Sequence, residues 1–188
     1  VWSTSGWPVE PLIAMDVIPV YPDNHGALIG ASKMGVDLCE TAESMGYSND
    51  LCSYARSDIS CATVNGGPIG GLPEPDMLVC CNNICGTVLK WYEVQARYFN
   101  IPLFIFDTPF CHTEYTKEAK RYVERQIEEY VAFLEGACGR KMDQDRMKDV
   151  GRISFEGQKL WQEVLDTAVH KPSPMTLSII PIWRRRRP

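Results

Sequence analysis

Cysteine is the residue through which this chain could do chemistry, and its spacing singles out two positions. Three of its eight cysteines, Cys80, Cys81 and Cys85, crowd into the stretch PDMLVCCNNICGTVLKWYEVQARYF from Pro75 to Phe99. Cys85 stands at or beside the start of an amphipathic helix. Unpaired backbone N–H groups and the helix dipole favour negative charge there, so a thiolate or an anionic iron-sulfur cluster is stabilised. Cys80 and Cys81 lie in an apolar run and read as small strand residues. Cys52, in NDLCSYARSD, follows a polar turn and can open another short helix, which makes it the second candidate ligand. Arg56, one turn later, either pairs with an anionic cluster or phosphate or is a solvated surface cation. Asp23, in the turn Pro22, Asp23, Asn24, reads either as the N-cap of a helix beginning near Gly26 or as an acid or base. Cys39 sits beside a helical apolar stripe and reads as core, and the lone pair Cys111 and His112 reads as loop packing. Cys81 and Cys85 stand four apart, which is no zinc-ribbon spacing, so a metal cluster has to gather cysteines distant in sequence.

An alternation of strands and helices has to position these residues. Met77 to Cys81 is a continuous apolar run bounded by Pro75 and Asn82, the pattern of a strand buried on both faces of a parallel sheet. Val88, Trp91, Tyr92, Gln95, Ala96 and Phe99 then recur at helical spacing until Asn100 and Pro102 stop the helix. Leu103 to Phe106 reads as a second apolar strand, and Val17 to Tyr21 as another, with Pro19 near its end or edge. Ser3 to Ser5 reads as a loop entering a short helix through Leu12, Ile13 and Met15. One helix is expected from Gly26 to Met45, with Gly46 as its cap. Asn65 to Pro75, with four Gly and three Pro in eleven residues, must be a loop, and it holds no nucleotide-binding fingerprint. Helices are expected over Glu118 to Ala137, with Val123, Ile127, Tyr130, Val131 and Leu134 inward, and over Asp143 to Ala168. The order predicts an α/β fold, a small doubly wound parallel sheet flanked by helices, with a helical C-terminal extension. The chain divides as an α/β lobe over 1–139, a packing helix over 140–170 and a tail over 171–188. Ligands of such sheets bind at the carboxyl ends of the strands.

The 188 residues, 45% hydrophobic and 23% charged, suffice for one domain with a real core and hold no apolar run of membrane-spanning length. The opening VWSTSGWPVE has no basic-then-apolar leader, so secretion is not indicated. Eight cysteines without secretory context point to reduced thiols or metal ligation inside the cell. Arg184 to Arg187 contribute four positive charges to the net charge of −5, so the rest carries −9, unlike a nucleic-acid binder.

Six motifs carry a resemblance. WSTS at Trp2 to Ser5, YPDN at Tyr21 to Asn24, LCETAESMGY at Leu38 to Tyr47, LCSYAR at Leu51 to Arg56, CCNNIC at Cys80 to Cys85 and KWYE at Lys90 to Glu93 occur in this order. Over Val1 to Thr176 the chain thereby resembles the 2-hydroxyacyl-CoA dehydratase and benzoyl-CoA reductase superfamily. The resemblance implies a heterodimer of related subunits with Rossmann-like or flavodoxin-like lobes around a [4Fe-4S] cluster. It implies a separate ATP-hydrolysing iron-sulfur activator, or ATPase subunits in the ring-reducing enzymes, that delivers single electrons. It also implies an acyl-CoA substrate and a cytoplasmic location. In the dehydratases a ketyl radical anion of the thioester expels the 2-hydroxyl group; in the reductases the aromatic ring is reduced.

Carried over by motif, cluster ligands fall on Cys52 and Cys85, with a third family cysteine in a later lobe beyond this sequence. The family's active-site serine falls on Ser5 and its acid/base carboxylate, a Glu in the dehydratases, on Asp23, one methylene shorter. That difference leans toward ring reduction. The resemblance ends near Lys171 to Met175, after which LSIIPIWRRRRP looks foreign to the family. The leading expectation is an amino-terminal, cluster-bearing part of a radical dehydratase subunit, inactive alone. The alternatives are a benzoyl-CoA reductase-type subunit, a non-catalytic iron-sulfur electron-transfer module, and a bare scaffold lobe.

Overall fold

The computed structural model describes residues 1–174; the expected foreign tail from 177 lies outside them. Two compact units divide between Asp143 and Gln144. The first contains a three-stranded, all-parallel sheet in the order β1 (Trp2–Ser3), β2 (Leu78–Cys81), β3 (Leu103–Phe106). Trp2 aligns with Leu78 and Ser3 with Val79, while Leu78 to Cys81 align residue for residue with Leu103 to Phe106. The α/β class read from the sequence is the observed one.

Strand β2 is buried along its whole length, as its unbroken apolar run demands. Side chains alternate across the sheet. Leu78, Cys80, Leu103 and Ile105 pack with Ala55, Ile59, Val88, Trp91 and Tyr92, residues of α4 (Ser53–Val64) and α5 (Gly86–Phe99). On the opposite face Phe104 and Phe106 meet the Trp7 ring edge-on, and Phe104 also meets Tyr130 and Phe133, which belong to α6 (Lys117–Cys138). Helix α6 opens on Thr116, whose hydroxyl accepts from the Ala119 amide at 3.1 Å, and closes on left-handed Gly139. Ala119, Tyr130 and Leu134 are its buried residues, whereas Ile127, expected inward, is exposed.

Two expected elements differ. Val17 to Tyr21 forms no strand: only Val20 bridges, its amide donating to Val1 and its carbonyl accepting from Ser3. Pro19 has no N–H to offer a ladder, and Ile18 faces solvent. The third strand is instead β1, in the stretch read as a loop, where two residues are too few to show a period. The helix expected over Gly26 to Met45 is broken into α2 (Pro22–Ala31) and α3 (Gly35–Ser44). The break falls where Lys33 turns left-handed and Ser32 Oγ donates to the Leu28 carbonyl at 2.8 Å. Gly46 closes α3 at φ 98°, as expected. The short α1 (Glu10–Ala14) also forms.

Gly67, in the Gly/Pro-rich loop, has φ 123°, and a Cβ there would lie 2.8 Å from Cys61 Sγ, so the loop backbone lies directly against α4. The second unit holds the amphipathic α7 (Gln144–Asp166), braced on its polar side by Lys148–Asp145 and Arg152–Glu156 ion pairs at 3.1 and 3.2 Å. Among the described residues no helix is long and apolar enough to cross a membrane.

Candidate functional site

Loops leaving the carboxyl ends of all three strands converge. After β1, Thr4 Oγ1 lies 3.7 Å from Cys81 Sγ at the end of β2, and the exposed Ser5 follows. After β2, Asn82 Oδ1 accepts from the Thr108 amide and hydroxyl at 2.9 and 2.8 Å, and its amide group donates to Asp107. Asp107 also accepts from Tyr122 OH, and its backbone amide donates to Gln126 Oε1 at 3.0 Å. These bonds tie the loops after β2 and β3 to each other and to α6. A Cβ on Gly6 would lie 3.8 Å from Ile84 Cδ1, so the loops after β1 and β2 also meet. Between the loops after β2 and β3 runs a groove of about 560 Å³, lined in part by Ile84, Phe110, Cys111 and Tyr115.

Ser5 and Asp23, eighteen residues apart, are brought together: the Ser5 amide donates to Asp23 Oδ2 at 2.9 Å. Asp23 is not the N-cap that the sequence allowed. Pro22 already lies inside α2, which makes Tyr21 the cap and sets the carboxylate in the first turn, where the helix dipole favours it.

Cys52 is the N-cap of α4 and Cys85 the N-cap of α5; both are exposed, and neither side chain is spent on a capping hydrogen bond. Contacts between these helices climb both together. Trp91 Nε1 and Gln95 Nε2 each donate to Asp58 Oδ2 at 2.8 Å, and Tyr98 OH donates to the Ala62 carbonyl at 3.2 Å. The helices therefore run parallel. Asp58 lies six residues after Cys52, and its α5 partners lie six and ten after Cys85, so the two caps stand at the same end of the helix pair. Tyr92, seven residues after Cys85, has its hydroxyl driven far above the tyrosine range by burial and then by the charges of Asp23 and Asp58, which ties α2 to the same helix pair.

The other thiols separate from this pair. Burial, then Cys81 and Glu93, push Cys80 up to about 12. Burial, then Asp58, push Cys61 up to about 11. Cys39 is buried, its Sγ donating to the Ser53 carbonyl at 3.6 Å, and Cys138 is half-buried. Cys111 is exposed on its loop, beside the stacked rings of Phe110 and His112. Arg56 pairs with Glu43 of α3, so its charge is answered within the fold. Two accessible thiols at helix N-termini are the side chains here that could supply part of a metal cluster's ligand set. Among the described residues no three His, Cys, Asp or Glu side chains gather as a complete metal site, and no hydrogen bond joins Cys52 or Cys85 to Ser5 or Asp23.

Sequence reading missed the buried pair His25 and Asp58, whose Nδ1 and Oδ1 lie 3.9 Å apart. The signal was present: Asp58 falls between Ala55 and Ile59 on the apolar side of α4, where an unsolvated carboxylate needs donors.

Comparison with known proteins follows the same stretch of chain. Over 176 residues it is 42% identical to the (R)-2-hydroxyisocaproyl-CoA dehydratase alpha subunit of Clostridioides difficile, covering 93% of this chain and 43% of that one. It is 37% identical over 177 residues to the (R)-phenyllactyl-CoA dehydratase alpha subunit of Clostridium sporogenes, again covering 93% and 43%. To a benzoyl-CoA reductase subunit of Thauera aromatica it is 28% identical over 173 residues, covering 88% and 39%. The chain thus spans less than half the length of these relatives. The relatives fall on both branches of the superfamily expected from the motifs. The model of 2-hydroxyglutaryl-CoA dehydratase, D-component, matches residues 4–182, nearly the whole sequence, and this chain belongs to that family.

Proposed function

We propose that this chain is the amino-terminal, cluster-bearing part of one subunit of a radical 2-hydroxyacyl-CoA dehydratase, which removes water from an (R)-2-hydroxyacyl-CoA. The observation that supports it most is the parallel pairing of α4 and α5, each capped at the same end by an exposed cysteine. Cys52 and Cys85 would hold two irons of a [4Fe-4S] cluster, the remaining ligands coming from outside the described residues. When bound, such a cluster supplies single electrons at low potential, received from a separate ATP-dependent activator.

The chain's own residues would manage the proton and the acyl group. The Ser5 amide holds Asp23 Oδ2, which leaves Oδ1 to exchange a proton with the substrate or its departing hydroxyl. One electron entering the thioester carbonyl gives a ketyl radical anion, from which the C2–O bond breaks. Loss of a C3 proton and return of the electron then give the enoyl-CoA and water. The groove beside Ile84 and Phe110 has the size for an acyl group, and its lining sets the apolar Ile84, Phe110 and Val123 beside the polar Asn82 and Thr108. A related second subunit would close the site, and thiol-rich, low-potential chemistry suits the reducing cytoplasm.

Dehydration is preferred to ring reduction because identity is 42% to a dehydratase against 28% to the reductase, despite the short Asp23. An electron-transfer module has no need of the Ser5–Asp23 pair. The test is anaerobic reconstitution of the complete polypeptide with its partner subunit, activator and ATP. Cys52→Ser and Cys85→Ser should each lower bound iron and abolish dehydration. Full iron and sulfide in the double variant would refute the ligand assignment, and reduction of an aromatic acyl-CoA without dehydration would favour the reductase reading.

A further inference from the structure

Asp58 is 1% exposed, and among the described residues it is the only buried carboxylate. A buried carboxylate is costly unless its partners are fixed, and fixing it fixes them. Its partners come from two neighbouring helices. Oδ2 takes both Trp91 Nε1 and Gln95 Nε2 of α5 at 2.8 Å, donors one turn apart, and Oδ1 faces His25 Nδ1 of α2 at 3.9 Å. His25 is 4% exposed and lies two residues after Asp23. Beside the pair is a chamber of about 90 Å³, bordered also by Cys61, Gly66 and Glu74.

We propose that Asp58 is the positioning residue of the candidate site. It locks α4 and α5 in one register, with His25 of α2 facing it, so that Cys52 and Cys85 stand at the same end of the helix pair. Asp58 lies about 9 Å along α4 from Cys52, six residues at the helical rise, and so acts without touching the ligands. This inference rests on the reading of Cys52 and Cys85 as a ligand pair.

The test uses the 188-residue chain with Cys111 and Cys138 replaced by Ser and a short rigid bis-maleimide that links Cys52 to Cys85. Asp58→Leu should cut the linking yield by about fivefold or more while unfolding stays cooperative. Asp58→Asn keeps an acceptor oxygen for Trp91 and Gln95 and should restore the yield to within about twofold. Should Asp58→Leu fail to fold, Trp91→Phe with Gln95→Met removes the α5 donors, leaves the carboxylate, and should show the same loss. A folded variant of either kind that links as well as the parent overturns the proposal, as does a parent that does not link at all. Iron and sulfide content of the complete reconstituted polypeptide, measured separately, tests the ligand reading: full iron in its Cys52→Ser, Cys85→Ser double variant refutes that reading and leaves the alignment of α4 and α5 by Asp58 standing.

Discussion

Trp7 follows Ser5 by two residues and fastens the loop after β1 to α6, so cutting its bond to Tyr130 should loosen the candidate site from outside it. Trp7 Nε1 donates to Tyr130 OH at 2.6 Å, with the rings edge to face at 4.8 Å between centroids, and both residues are buried. Trp7→Phe leaves a buried hydroxyl without its donor, and Tyr130→Phe leaves a buried indole N–H without its acceptor. Each should cost about 1–3 kcal/mol, and a pair of apolar rings much less than the sum. The cycle through Trp7→Phe, Tyr130→Phe and the double variant should therefore show a coupling of about 1–2 kcal/mol in urea unfolding. At about 2–4 °C per kcal/mol for a chain of this size, each single variant should melt about 2–12 °C lower. Additivity within about 0.5 kcal/mol would mean that the bond contributes nothing, and the anchoring argument would fail.

Other outcomes follow from the thiols and from the ligand count. Stability should fall above pH 9: both states keep their thiol protons below it, the unfolded chain ionises first above it, and the loss runs until Cys61 titrates near about 11 and Cys80 near about 12. The Cys61 share is about 3 kcal/mol, and Cys61→Val should remove that part of the alkaline slope. In the folded, cluster-free chain a maleimide should modify Cys52 and Cys85 before Cys39 and Cys138, with Cys61 and Cys80 slower by about tenfold or more; mass spectrometry showing Cys39 modified first would contradict the assignment. The chain alone should turn over no acyl-CoA, because two cysteines fall short of the three or four that hold such a cluster and a radical needs a site closed to water. Steady turnover by the 188 residues without partner or reductant would refute the function proposed.

Local pattern carried much of the fold into view. The buried strand at Leu78 to Cys81, the helix from Gly86 with its stop at Asn100 and the cap at Gly139 are each written in adjacent residues. What failed depended on tertiary choice. Val17 to Tyr21 looked like a strand, yet the sheet took Trp2 and Ser3, because pairing with a distant strand leaves little trace in a two-residue segment. The broken helix at Lys33 was not legible because the apolar stripe that marked it, Met34, Leu38, Ala42 and Met45, lies wholly after the turn and says nothing of the residues before it. The site was legible as residue types at helix starts, whereas the Asp58 contacts that align those starts bridge 33 and 37 residues and show only as one acid on an apolar face.

The unequal reach of the two strand pairings has a kinetic consequence. Leu78 meets Leu103 after 25 residues with one helix between, whereas Trp2 meets Leu78 across 76. Closing the longer loop costs more chain entropy and has fewer local contacts to offset it, so the unit from β2 to β3 should form early and β1 dock last. The Ser5–Asp23 contact is then the last piece assembled and the first released in partial unfolding. Native-state hydrogen exchange should find the amides of Ser3 and Ser5 opening through a low-energy route while Val79 and Cys80 wait for global unfolding. Equal protection across all four would mean that the sheet forms as one step.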